Sequence, residues 1–252
     1  MKKSRKSRTA GSKYLFWLVP LIIIAAFLAV FIIYTHNYYH ADPSAVAAMQ
    51  SDEEVQVIKT RYGWLFDGPS DRDGLVFYPG GKVEAAAYAP ILRALAGRGI
   101  DVCLVRMPFR LAVFDSNAAE TILQQYDYEH WYIGGHSLGG AMAASYVSNH
   151  PEDFQGVILL AAYPTKELPS DITEILVVGT EDQVVNRDKL TAGKRYAPSD
   201  YLYLEIEGGN HAQFGNYGLQ KGDGEAAITD EEQQKKAVDL IINKLLNSRD
   251  SR

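Results

Sequence analysis

Trp131-Tyr132-Ile133-Gly134-Gly135-His136-Ser137-Leu138-Gly139-Gly140 is the stretch on which the reading of this chain turns. Its first three residues are aromatic and β-branched, which suits a buried strand. Gly135 to Gly139 spell G-x-S-x-G, and residues 138–149, with Ala141, Ala143 and Ala144, have the composition of a helix with a small face. A serine on a sharp strand-to-helix turn has its hydroxyl pushed out above the sheet. Such a turn admits only small residues two places before and after it. The Leu138 N–H then opens a helix, where an unpaired donor can meet a developing negative charge. Ser137 is therefore expected to be a nucleophile, with Leu138 as one oxyanion donor.

Outward from this stretch the chain alternates strand-like and helix-like segments. Val55 to Ile58 alternates apolar and polar residues. Leu75 to Tyr78 is an apolar run stopped by Pro79-Gly80-Gly81-Lys82, a buried strand entering a tight loop. Pro90 suits a first helical turn, Tyr88, Ile91, Leu92 and Leu95 share one helical face, and Gly97 and Gly99 follow. Ile100 to Val105 reads as a strand and residues 117–126 as a helix. Phe154 to Ala162, Glu174 to Val178 and Tyr201 to Ile206 read as strands. Thr229 with Glu232 three places on is a capping box for a last helix through Val238, Ile241, Ile242 and Leu245. This alternation predicts an α/β fold: a mostly parallel sheet with helices on both faces.

A serine hydroxyl needs a positioned base to attack at neutral pH. Behind a nucleophile elbow the partners follow in the order carboxylate, then histidine. Leu176 to Asp182 puts Glu181 and Asp182 just past a strand end, and Tyr203 to His211 puts a histidine in a glycine-bearing loop past the next strand. Both fall at strand C-terminal ends, where open α/β sheets build their sites. Of six histidines, His36 and His40 precede the folded part, and His130 and His150 belong to the opposite end of the sheet. His136 neighbours Ser137 on a sharp turn, where adjacent side chains point apart. His211 is thus the expected base. The second oxyanion donor is expected from the loop at Tyr78 to Lys82, with the Gly81 N–H preferred to that of Lys82.

Together FYPGGK, GGHSLGG, VVGTEDQVV and EGGNHAQFG resemble the α/β-hydrolase superfamily, and most of all the small bacterial group called α/β-hydrolase fold 5. The resemblance spans roughly residues 54–247 and is looser to dienelactone hydrolases. It implies Ser137, Asp182 and His211 as a catalytic triad. Dienelactone hydrolases have a cysteine nucleophile, so their substrate is not implied here, and Pro79-Gly80 stands where the family usually has His-Gly. Lids of this fold follow the strand ending at Ala162. Here only Tyr163 to Asp171 intervene before the next strand, too few for a lid domain. An open site is expected, with Lys82, Phe109, Arg110, Tyr163 and Phe214 as substrate-binding candidates.

Residues 14–34, YLFWLVPLIIIAAFLAVFIIY, carry no charge over a length that spans a bilayer core of roughly 20 residues. Aromatics at both ends suit the membrane interface, and Pro20 is tolerable there. Six of the 25 Lys/Arg lie within residues 1–36, with no acid. The positive flank predicts a cytoplasmic basic tail (1–13), a transmembrane helix (14–34), a stalk (35–53), an extracytoplasmic catalytic domain (54–247) and a short tail (248–252). On that division a chain begun near residue 50 keeps the whole catalytic part. The rival reading is a signal peptide cleaved near Ala45 to Ala48.

Outside residues 1–36, 19 basic residues face 31 acidic ones, which argues against nucleic acid as a partner. Cys103, the single cysteine, sits in the apolar run Val102 to Val105 and reads as a core thiol. No motif implies a metal or an organic cofactor. The expected activity is hydrolysis of a small ester through an acyl-enzyme. Thioester hydrolysis, acyl transfer and a non-catalytic tethered binding module are the alternatives.

Overall fold

The computed structural model describes residues 11–250, with side chains from 17 to 245. Lys2, Lys3, Arg5, Lys6 and Arg8 of the basic tail and residues 251–252 lie outside the described residues. The chain divides into two units, Met1–Tyr38 and Tyr39–Arg252.

The first unit holds α1, Gly11–His36, which contains Pro20. Its stretch Trp17–His36 is long and apolar enough to cross a membrane. Trp17, Leu21, Ile22, Ile23, Phe27, Val30 and Ile33 are each more than half exposed.

The second unit begins within the segment expected to be a stalk. The Tyr39 N–H donates to Lys82 O at 2.8 Å, and Tyr39 O accepts from Glu84 N at 2.9 Å. Asp42 then caps α2, Pro43–Ala48, by accepting from the Ala45 N–H, and Ala45 is fully buried. An Asx cap followed by proline at the first helical turn accounts for the start of this helix. Residues 39–53 are therefore part of the folded unit, because the Ala-rich run supplies a small face that packs on the core rather than a spacer.

An eight-stranded sheet follows: β1 (Gln56–Lys59), β2 (Gly63–Asp67), β3 (Asp73–Tyr78), β4 (Asp101–Val105), β5 (His130–His136), β6 (Gly156–Leu160), β7 (Thr173–Gly179) and β8 (Asp200–Ile206). Its spatial order is β1-β2-β4-β3-β5-β6-β7-β8. Only the β1–β2 and β2–β4 pairs are antiparallel. The mostly parallel sheet is the one predicted by strand–helix alternation.

Successive residues of a strand face opposite sides, so the sheet divides the core into two layers. Leu75 and Phe77 of β3 and Ile175 and Val177 of β7 join one layer, under α3 (Ala89–Ala96) and α7 (Asp230–Asp250). Val76, Tyr78, Leu176 and Val178 join the other, under α5 (Leu138–Val147). Ala237, Val238, Ile241, Ile242 and Leu245 form the buried stripe of α7 at helical spacing. Each large side chain here contributes roughly 1.5–3 kcal/mol by leaving water. The α7 capping box forms in full, with Thr229 N to Glu232 Oε2 at 3.0 Å and Glu232 N to Thr229 Oγ1 at 3.2 Å. Cys103 is buried in β4, and burial pushes its thiol up to about 12, so it is unreactive at neutral pH.

Short helices complete the unit: α4 (Ala118–Leu123) and α6 (Arg187–Gly193). No helix lies between Leu160 and Thr173, so β6 and β7 pair in parallel across a connection without lid or crossover helix.

Candidate active site

β5 runs to His136 and α5 starts at Leu138, leaving Ser137 alone between them with φ 51° and ψ −120°. A positive φ strains any residue with a Cβ, by about 1–3 kcal/mol, and persists only where surrounding structure imposes it. Here the Ser137 N–H donates to Leu160 O at 2.9 Å and Ser137 O accepts from Ala141 N at 3.0 Å. The flanking glycines are a steric requirement. A Cβ on Gly135 would sit 2.4 Å from Tyr78 O, and one on Gly139 only 2.1 Å from it.

The carboxylate comes from the loop after β7. Asp182 is buried, and its Oδ1 accepts from the N–H groups of Val184 and Val185 at 2.9 and 2.8 Å. This Asx turn fixes the carboxyl and leaves Oδ2 for His211 Nδ1, 2.9 Å away. Neighbouring Glu181 turns elsewhere and accepts from Thr180 Oγ1 at 3.2 Å. Arg187 braces the loop by donating to Gly179 O at 2.6 Å and pairing with Glu205 at 2.9 Å.

His211 stands on the loop after β8 and is 1% exposed. A carboxylate oxygen accepts, so in the contact between Asp182 and His211 the ring Nδ1 is the donor. The other ring nitrogen, Nε2, is buried and has no hydrogen-bond partner among the described residues. Hydrogen bonds from distant sequence hold the loop. Asn210 N and O pair with the Gln233 amide at 2.9 and 2.8 Å, and Asn210 Nδ2 donates to Gly224 O at 2.9 Å. Asp223 staples the loops of Asp182 and His211 together, its Oδ2 accepting from Ala212 N at 2.9 Å and its Oδ1 from Gln183 N at 3.3 Å. Asp223 and Gln233 escape sequence reading, since a polar loop residue and a helical glutamine carry no signal of what they will meet.

Ser137 and His211 line one cavity of about 270 Å³ with Leu138, Ala141, Ala161, Ala162, Tyr163, Thr165, Val184, Val185 and Asn186. Tyr163 thus lines the same cavity as Ser137. Leu138 occupies the first position of α5, where its N–H lacks an intrahelical acceptor. Gly81 packs against it, since a Cβ there would meet the Leu138 side chain at 3.0 Å. The Lys82 N–H is committed to Arg110 O at 2.8 Å, which leaves Gly81 as the donor available on this loop.

Four other candidates, Lys82, Phe109, Arg110 and Phe214, are not among the residues that line this cavity. Phe109 and Arg110 line a separate hollow of about 540 Å³ with Trp64, Pro79, Val83 and Met107. Phe214 is fully buried in the core with its ring 5.9 Å from that of His136, so it packs in the interior and does not line the cavity at Ser137. An aromatic three residues past His211 reads as a pocket wall in sequence, but the short 3₁₀ turn Ala212–Phe214 carries it inward. No group of three or more His, Cys, Asp or Glu side chains converges on a metal-binding geometry among the described residues.

A profile of the alpha/beta hydrolase family matches residues 74–235, from β3 into α7. Among solved structures the chain is similar to a predicted CIB-like hydrolase from Thermoplasma acidophilum, at 15% identity and TM-score 0.52, covering 75% of this chain and 99% of that one. It is similar to naproxen esterase (carboxylesterase NP) from Bacillus subtilis, at 14% identity and TM-score 0.50, covering 73% and 91%. It is also similar to Est1E from Butyrivibrio proteoclasticus, at 12% identity and TM-score 0.54, covering 77% and 100%. No curated protein matches by sequence. At these identities the neighbours speak for the fold, while the profile covers well over half of the chain, including the elbow and both loops behind it: this chain belongs to the alpha/beta hydrolase family.

Proposed function

We propose that the chain is a serine carboxylesterase acting on small esters through an acyl-enzyme, held to the cell membrane by its N-terminal helix. The observation that carries this is the buried Asp182–His211 pair at 2.9 Å, whose free Nε2 borders the cavity that Ser137 enters. In the reaction the Ser137 oxygen attacks the ester carbonyl while its proton passes to His211 Nε2. The Leu138 and Gly81 N–H groups stabilise the oxyanion. Collapse expels the alcohol, which takes the proton from His211, and water repeats the sequence to release the acid. Asp182 keeps the imidazole in the Nδ1–H tautomer and stabilises its charged form. Oxyanion donors of this kind typically contribute about 10²–10³ in rate each.

The small lining residues, Ala141, Ala161 and Ala162, and the 270 Å³ volume favour short acyl or alcohol groups. The likeness to naproxen esterase also favours an ester over an amide. The test is reaction with a fluorophosphonate probe and hydrolysis of p-nitrophenyl esters of increasing chain length, in wild type and Ser137→Ala. A well-folded Ser137→Ala protein with wild-type turnover would overturn the reading. For the anchor, the support is the uncharged stretch Trp17–His36 and the basic residues before it, which favour a cytoplasmic N-terminus and an extracytoplasmic hydrolase. Full-length protein released from membranes by alkaline carbonate would overturn that part.

A further inference from the structure

We infer that His136, the residue between Gly135 and Ser137, is a positioning residue that ties the base loop to the oxyanion loop through Tyr88. The inference rests on the serine-esterase reading. His136 is 1% exposed, and both of its ring nitrogens are engaged. Nε2 lies 3.1 Å from His211 O, and Nδ1 lies 2.8 Å from the Tyr88 hydroxyl. That hydroxyl, itself fully buried, accepts from the Gly80 N–H at 3.0 Å.

The donors can be assigned without ambiguity. A carbonyl only accepts, so Nε2 must carry the proton toward His211 O. Nδ1 is then a lone pair, and Tyr88 must donate to it. The Tyr88 oxygen is left to accept from Gly80. The three bonds run head to tail, from the Gly80 N–H through Tyr88 and His136 to the His211 carbonyl. Chains of bonds aligned in this way strengthen one another. A side chain at position 80 would break the chain, because its Cβ would lie 2.6 Å from the Tyr88 oxygen and 2.7 Å from His136 Nδ1.

Three loops meet in this relay. Gly80 precedes the proposed oxyanion donor, His136 precedes the nucleophile, and His211 is the proposed base. The relay therefore sets the spacing between the groups that hold the oxyanion and the group that moves the proton. A shift of about 1 Å in such spacing can cost about 10²-fold in rate. The same bonds keep His136 neutral. A proton on Nδ1 would face the Tyr88 oxygen, which already accepts from Gly80, and the hydroxyl hydrogen would lose its acceptor. Burial, and then the nearby His211, hold the His136 ring well below the usual histidine range. The two rings are 4.6 Å apart, so a neutral His136 lets His211 take its charge during turnover without a like charge beside it.

The test uses the full-length chain in detergent and has two arms. In the first, Tyr88→Phe removes only the hydroxyl, and His136→Leu removes both bonds. His136→Gln returns an amide N–H within reach of His211 O. The expected result is a fall in kcat of about 10- to 100-fold for Tyr88→Phe and His136→Leu, with KM within about twofold and melting still cooperative. His136→Gln should recover much of the loss. Wild-type kcat in Tyr88→Phe and His136→Leu, or a loss confined to KM, would overturn the inference. In the second arm, nitrogen NMR of the wild-type imidazoles should show His136 as the neutral Nε2–H tautomer from about pH 5 to 9. An Nδ1–H tautomer, or a His136 that charges in that range, would overturn it in an enzyme that still hydrolyses esters. A wild-type chain that neither labels nor hydrolyses would instead remove the esterase reading, whatever the tautomer.

Discussion

Asp182 Oδ2 lies 2.9 Å from His211 Nδ1, and both side chains are shut off from solvent. The other oxygen of Asp182 is committed to two backbone N–H groups, those of Val184 and Val185. This division predicts the outcome of Asp182→Asn. The two N–H donors demand an oxygen on their side, so the new amide must turn its NH₂ toward His211. Nδ1 would then have to accept, and the proton would move to Nε2, where it blocks uptake of the serine proton. We expect kcat to fall by roughly 10⁴-fold, the size associated with loss of the correct tautomer. Glu181→Gln, whose carboxylate faces Thr180, should stay within about twofold of wild type on the same ester. If Glu181→Gln is the crippled variant instead, the carboxylate has been assigned one residue too late.

How much of this was legible in sequence depends on how local each signal is. The elbow, the capping box at Thr229 and the strands β3 to β8 announce themselves through neighbouring residues. β2 does not: Gly63 to Asp67 has no β-branched residue and mixes buried and half-buried positions, so no clear period appears. α6 carries a single buried large side chain, Leu190, and a helix with one anchor has no stripe to read. The Ala-rich run at 45–48 looked like a spacer because alanine is silent on burial. Asp182 and His211 were legible as chemistry past strand ends. Asp223, Gln233 and Tyr88 were not, because their partners lie 8 to 48 residues away in sequence and no local rule links them.

The bonds made by Tyr39 to Ala48 predict where the catalytic unit can be cut. A chain begun at Tyr39 retains the bonds to Lys82 and Glu84, the Asp42 N–H to Asn216 O bond at 2.9 Å, and the buried Ala45. A chain begun at residue 50 loses all of these and exposes the core surface beneath α2. Its melting temperature should be lower by at least about 5 °C, since each kcal/mol shifts a domain of this size by about 2–4 °C. Equal melting curves for the two chains would mean that α2 adds nothing to stability.

Residues 161–172 contain no helix, so nothing built into the β6–β7 connection can open over Ser137. Rates on short soluble esters should therefore rise smoothly with substrate concentration. A sharp increase when the substrate forms micelles would show that some other segment closes the site.

Glu174 predicts how stability follows pH. It lies on β7 facing the core layer of Leu176 and Val178, is fully buried, and neither carboxyl oxygen finds a hydrogen-bond partner among the described residues. Its register neighbour is Tyr201 of β8, whose hydroxyl is likewise unpartnered and buried. Burial alone pushes the Glu174 carboxyl up to about 8, against 4.5 for an exposed glutamate. The folded state therefore holds a proton on Glu174 that the unfolded chain has already released. The sign follows: the stabilising effect of the neutral form is complete below 4.5 and is lost progressively as pH rises toward 8. Over that window one proton's difference lowers stability by about 1.4 kcal/mol per pH unit. Glu174→Gln is nearly isosteric and cannot ionise. Its melting temperature should equal or exceed that of wild type at pH 7.5, and its advantage should shrink by about 5–10 °C when both are measured at pH 5. The site is at the far end of β7 from Asp182, so ester hydrolysis at 25 °C should be unaffected. Melting temperatures that stay parallel from pH 5 to 8 would show that Glu174 is ionised or solvated in the folded protein.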